Sequence, residues 1–118
     1  MLKINLSFEK PRISINGIVY DVLRSDAQIV QDMLDIDKEF ESQNMEDPAC
    51  VLKKNRAMIS YLDKLLGKGA ASQIAANVPG LNGAGLGLGG ISGILSAIVQ
   101  TAGKAYSDSF NLKYGDDE

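Results

Sequence analysis

The sequence predicts an α+β fold: a small N-terminal antiparallel β-meander, then a helical hairpin and a C-terminal helix, in a single domain of 118 residues. Three observations carry this. Apolar residues alternate with polar ones through residues 1–23 and afterwards recur at a 3-to-4-residue spacing. Two segments open with helix-capping residues, Ser25-Asp26 and Asp47-Pro48. Finally, the 35 residues from Gly69 to Gly103 carry no charge in a chain that is 23% charged, and nine of the twelve glycines lie among them. With 45% apolar residues the chain can bury one modest core and is too short for two.

Within residues 1–23, Leu2, Ile4, Leu6 and Phe8 alternate with polar residues and Glu9-Lys10-Pro11-Arg12 forms a turn. Ile13 and Ile15 then precede Asn16-Gly17, the strongest short hairpin signal. A two-residue loop there pairs Ile15 with Ile18 and Ile13 with Tyr20. Leu6, Phe8, Ile13, Ile15, Ile18, Tyr20 and Val22 then share one face, which the helices must cover.

Residues 25–78 form the helical region. The first helix runs from Ser25-Asp26 to about Gln43, with Ile29, Val30, Met33, Leu34, Asp37 and Phe40 on its inward face, where Asp37 is the polar exception. The second opens with Asp47 as N-cap and Pro48 at the first helical position, and it stops at Gly67. Its stripe is Val51, Leu52, Met58, Ile59, Leu62, Leu65 and Leu66, and a buried seam between the two helices uses Phe40, Met58, Ile59 and Leu62. Their charges are opposite: Ser25 to Asp47 holds eight acidic residues and one lysine, Pro48 to Lys68 five basic residues and one aspartate. Those charges either solvate two exposed faces or leave each face open to an oppositely charged neighbour, with self-association as one outcome.

Ala70 to Asn77 makes about two helical turns, which Pro79 ends. Residues 79–90 are a glycine-rich linker, too costly in backbone entropy to hold a helix or strand alone. Residues 91–108 form the C-terminal helix. Ile91, Ile94, Leu95, Ile98, Val99, Ala102 and Tyr106 mark one face of it, which is the expected partner-binding surface. Residues 109–118 read as a loose acidic tail.

Several chemistries are excluded. A net charge of −3 and an isoelectric point near 4.9 argue against nucleic-acid binding. With no histidine and a single cysteine, Cys50, the chain has no Cys/His zinc site and no His-based triad or disulfide. Cys50 sits in an apolar helical context that suggests a buried thiol. Gly85-x-Gly87-x-x-Gly90 matches the dinucleotide fingerprint formally, yet no strand leads into it. The acidic pairs Asp35/Asp37 and Glu39/Glu41 stand at i,i+2 and do not converge, and Asp26, Asp32, Asp35 and Asp37 lack the spacing of a calcium loop. No catalytic, cofactor or metal site is expected, and an enzyme is not. The apolar run Ile91 to Ala102 is short of the ~20 residues a spanning helix needs, and the N-terminus has no signal-peptide pattern, so a cytoplasmic location is expected.

Two segments carry a resemblance. Asn16-Gly17-Ile18-Val19-Tyr20 forms an N-G-x-x-Y element in the hairpin region. After the acidic helix comes Leu62-Asp63-Lys64-Leu65-Leu66-Gly67-Lys68-Gly69-Ala70-Ala71-Ser72-Gln73-Ile74. Together they resemble the tail assembly chaperones of long-tailed phages and prophages of Gram-positive bacteria, over roughly Asn16 to Ile74. Lys68 stands where an acidic residue is common, and Ala75-Ala76 where an aromatic and a glycine are expected. The resemblance implies a non-enzymatic protein of the bacterial host cytoplasm. Such a protein coats the apolar, helical tape measure protein during tail morphogenesis and leaves before the particle is complete. A permanent structural subunit of a phage-derived particle is the alternative, and a small membrane-active protein a third.

Overall fold

The computed structural model describes residues 1–81 and 91–116. β2 (Arg12–Ile15) and β3 (Ile18–Asp21) pair antiparallel in the expected register, Ile15 opposite Ile18 and Ile13 opposite Tyr20. Asn16 and Gly17 take φ of 49° and 83°, the two successive left-handed residues that a tight hairpin loop requires.

β1 (Leu2–Phe8) does not join this hairpin. It pairs along its whole length with β4 (Phe110–Asp116), so two separate two-stranded antiparallel sheets replace the expected three-stranded meander. The local bonding turns β1 away. Pro11 offers no N–H to a ladder, its carbonyl accepts from Val22 at 3.0 Å, and the Glu9 N–H donates to the Ser109 carbonyl at 2.9 Å. The segment read as a loose acidic tail is thus a strand over 110–116, and residues 117–118 lie outside the described residues.

α1 (Asp26–Phe40) begins with a capping box: the Gln28 N–H donates to Ser25 Oγ at 3.1 Å and the Ser25 N–H to Gln28 Oε1 at 2.9 Å. α2 (Pro48–Leu66) is capped by the Asp47 carboxylate, which accepts from the Ala49 N–H at 3.0 Å. At its end Gly67 takes φ 114°, a conformation open to glycine without strain, and its N–H donates to the Asp63 carbonyl at 2.9 Å. The Asp63 carboxylate accepts from the Ala71 N–H at 2.8 Å, joining the end of α2 to the start of α3 (Ala70–Ala76). The residues of the Asp63-to-Ala71 junction therefore have a structural reason to occur together. The expected linker falls largely on residues 82–90, outside the described residues together with the Gly85/Gly87/Gly90 pattern. Beyond it stands α4 (Ile91–Asp108).

α4 packs against α1, α2 and β2. The core joins Ile13 and Tyr20 of the hairpin, Ile29 of α1, Met58, Tyr61, Leu62, Leu65 and Leu66 of α2, Ile74 of α3, and Leu95, Ile98 and Ala102 of α4. Of the expected seam, Phe40, Met58 and Leu62 are buried and Ile59 is half-buried against the core. On α1 the inward polar residue is Asp32. Asp37 is exposed, and Val30 and Leu34 are 60% and 57% exposed. The helix is rotated so that Asp32 meets partners that spacing alone does not reveal. Arg24 grips it bidentately, Nε to Oδ2 and Nη2 to Oδ1 both at 2.9 Å, the Tyr61 hydroxyl donates to Oδ2 at 2.9 Å, and Lys64 Nζ lies 3.6 Å from Oδ1. These donors, Arg24 first, hold the Asp32 carboxyl below its ordinary range against the opposing effect of burial. Burial, reinforced by the bond to Asp32, pushes the Tyr61 hydroxyl up.

Two predictions follow from this packing. Leu62 is fully buried, so Leu62→Ala should lower unfolding free energy by about 2 to 5 kcal/mol in a urea melt; a loss below about 1 kcal/mol would place Leu62 outside a well-packed core. Because the folded state holds Asp32 below the ordinary aspartate value near 3.9, its contribution is complete at neutral pH and disappears as pH falls from about 5 through the depressed value. Asp32→Asn should therefore cost about 2 to 4 kcal/mol at pH 7 and progressively less in acid. Parallel loss of stability by wild type and variant between pH 6 and about 2.5 would show that Asp32 is not the linked group.

Candidate interaction surfaces

The expected partner-binding stripe on α4 lies mainly inside the protein. Leu95, Ile98 and Ala102 are buried at 4%, 7% and 0% exposure, while Ile94 and Val99 are half-buried against the same core. Tyr106 is half-buried within an aromatic group, and the side chain of Ile91 lies outside the described residues. The stripe is the seam by which α4 joins the body. Two of its residues, Leu95 and Val99, also line a groove.

That groove encloses about 330 Å³ between α1, α2 and α4. Met33 and Ile36 come from α1, Met58 and Lys54 from α2, and Leu95, Ser96, Val99 and Gln100 from α4, with Asp37 beside them. Its apolar lining includes two methionines, unbranched side chains that repack around differently shaped guests. Asp37 and Lys54 place opposite charges on its border, while Ser96 and Gln100 are exposed.

The second surface is the β1/β4 ribbon. Directly opposed residues share a face, so Ile4 and Tyr114, Leu6 and Leu112, and Phe8 and Phe110 form three apolar cross-strand pairs, with Leu2 extending the row. Lys3, Asn5, Ser7, Asn111 and Lys113 occupy the other face. The ribbon is anchored to the body at its root. Phe8, Tyr106 and Phe110 form an aromatic triangle with ring centroids 4.8 to 5.7 Å apart. Ser109 closes the end of α4 through its N–H to the Tyr106 carbonyl at 3.1 Å and its hydroxyl to the Ala105 carbonyl at 2.7 Å. Exposure grows away from the root, from 47% at Phe8 through 66% at Leu6 and Ile4 to 86% at Leu2, and from 46% at Phe110 to 77% at Tyr114.

Sequence periodicity does not pair the two halves of the ribbon, because they stand more than 100 residues apart. A signal existed: Phe110, Leu112 and Tyr114 alternate with polar residues as Leu2, Ile4, Leu6 and Phe8 do, and the acidic residues that follow masked it. Elsewhere, Cys50 is half-buried with its Sγ 3.4 Å from Gln43 Oε1. Among the described residues no group of three His, Cys, Asp or Glu side chains converges to hold a metal ion, and no helix is long and apolar enough to cross a membrane.

No family model, curated protein or solved structure matches this chain.

The buried position of Ile98 yields a direct test. Ile98→Asp should unfold the body, seen as loss of the cooperative thermal transition and of helical circular dichroism, because an unpaired carboxylate would enter the core. Gln100→Asp, at an exposed position of the same helix, should melt within about 0.5 kcal/mol of wild type. A folded Ile98→Asp protein would mean that α4 is not a core helix.

Proposed function

We propose that this chain is a non-enzymatic assembly chaperone that receives an apolar helix of another protein in the groove between α1, α2 and α4. The tape measure protein of a long-tailed phage is the partner that the sequence resemblance implies. One observation supports the reading most: the groove is lined by Met33, Met58, Ile36, Leu95 and Val99. A groove of this kind takes the anchor side chains that an amphipathic helix presents at i, i+3, i+4 and i+7. Flexible methionines suit a chaperone that must accept many successive segments of a long partner. Asp37 and Lys54 add polar contacts at the border that orient a helix without fixing its sequence. Leu95 and Val99 connect this surface to the expected stripe on α4, of which Leu95, Ile98 and Ala102 also serve the core.

A permanent structural role is the second reading, favoured by one observation. Each strand of the β1/β4 ribbon has a single neighbour among the described residues, so both outer edges are placed to accept a further strand by β-augmentation.

Ser96→Trp inserts bulk into the groove from an exposed position and should leave the melt unchanged. Co-purification with a co-expressed tape measure protein should fall by roughly tenfold or more, the loss of a central contact. Binding at the wild-type level would remove the groove from the mechanism. Purified mature particles separate the two readings, since a chaperone is absent from them and a subunit is present in stoichiometric amount.

A further inference from the structure

We infer that the β1/β4 ribbon is a self-association element: two copies of this chain pack their apolar ribbon faces together about a two-fold axis, forming a four-stranded, two-layered β-structure. The inference goes beyond the groove reading and does not depend on it.

Size is the first argument. Leu2, Ile4, Leu6, Phe8, Phe110, Leu112 and Tyr114 lie on one face, between 46% and 86% exposed. Together they present on the order of 800 Å², the share each partner contributes to a standard stable interface and more than the largest apolar patch of a typical monomer. An isolated two-stranded ribbon is marginal in water, and among the described residues this one is packed by an aromatic side chain of the body at Phe8 and Phe110, at its root. Among the described residues no layer covers the rest of its apolar face.

Symmetry and charge identify the layer as a second copy. An antiparallel ribbon has a local two-fold relation, and here both strands repeat the same alternation: apolar residues at Leu2, Ile4, Leu6 and Phe8, and at Phe110, Leu112 and Tyr114. The face is therefore self-complementary, the requirement for an isologous contact. Identical bodies with net charge −3 repel wherever charged surfaces meet, whereas this face is uncharged from Leu2 to Phe8 and from Phe110 to Tyr114. Strands of seven residues span about 20 Å. With the tip of one ribbon on the root of the other, Leu2 and Ile4 meet the aromatic rings of the partner copy, and the two acidic bodies sit at opposite ends. Face-to-face layers pack about 10 Å apart, leaving Lys3, Asn5, Ser7, Asn111 and Lys113 facing outward.

Sedimentation velocity of the purified chain across about 1 to 100 μM, the range in which an interface of this size associates, should show a dimer. Leu6→Lys/Leu112→Glu places an opposite-charge pair directly across the ribbon, preserving strand pairing while charging the contact. This variant should dimerise roughly a hundredfold more weakly with an unchanged thermal transition of the body. In a Cys50→Ser background, Leu6→Cys should crosslink between copies with a short bismaleimide, and Asn5→Cys, on the opposite face, should not. A wild-type chain that stays monomeric at 100 μM, a dimer indifferent to the double substitution, or equal crosslinking at positions 5 and 6 would each overturn the proposal. The purified chain is the whole sample, so these outcomes are independent of whether the groove binds a tape measure protein.

Discussion

Burial of α4 is the constraint on which the other features depend. Leu95, Ile98 and Ala102 fill the space between α1, α2 and β2, so the chain must return after its glycine-rich segment to complete its own core. Three consequences follow from this one seam. Leu95 and Val99 become a wall of the groove, Tyr106 is placed to pack at a tilt against Phe8, and the turn at Ser109 launches β4 alongside β1. The uncharged stretch has the same explanation over much of its length. α3 buries Ala70, Ala71, Ile74 and Ala75, and α4 buries Leu95, Ile98 and Ala102, so absence of charge at these positions reflects enclosure by the protein itself.

Asp32 supplies directionality that the apolar seam lacks. A core of Leu, Ile, Met and Ala side chains permits small rotations and slips of helices at little cost, whereas a bidentate Arg24 contact together with the Tyr61 hydroxyl bond is satisfied in one arrangement. The network ties the segment before α1 to α1 and to α2. It accounts for the rotation that exposes Val30 and Leu34 while Ile29, Met33 and Phe40 face inward. Removing the charge altogether in favour of apolar packing is a different matter from breaking it, because the cost of a lone buried charge arises only when one partner remains.

Legibility from sequence tracked the range of the interaction involved. The hairpin register, the N-cap at Ser25, the cap at Asp47 with Pro48, and the stop at Gly67 are settled within a few residues and are readable from local chemistry, whereas the reciprocal Gln28 bond that completes the capping box is seen only in the structure. β1 pairing with β4 joins residues more than 100 positions apart, and periodicity identifies a strand without naming its neighbour. Asp32 was hidden for a related reason: its partners lie at Arg24 and Tyr61, and a polar residue on a helix reads as outward-facing until its bonds are seen. The stripe on α4 was legible as an apolar face. Whether such a face serves the core or a partner depends on what packs against it, which spacing cannot tell.

The two candidate surfaces are joined by α4, which contributes to both. Val99 at the groove and Asp108 at the ribbon junction are nine residues apart on one continuous helix, about 14 Å of axial rise. The ribbon root is held to that helix by the aromatic triangle and by the bonds at Ser109, which restrict bending at the junction. In a ribbon-paired dimer the two grooves would accordingly stand at a set separation and orientation. A long helical guest could then engage both copies, the second contact being favoured by the effective concentration that the first creates. Weak, adaptable grooves would suffice for stable coverage and would release their guest in steps. On the proposed chaperone role, that combination would let the chain grip a partner and later leave it.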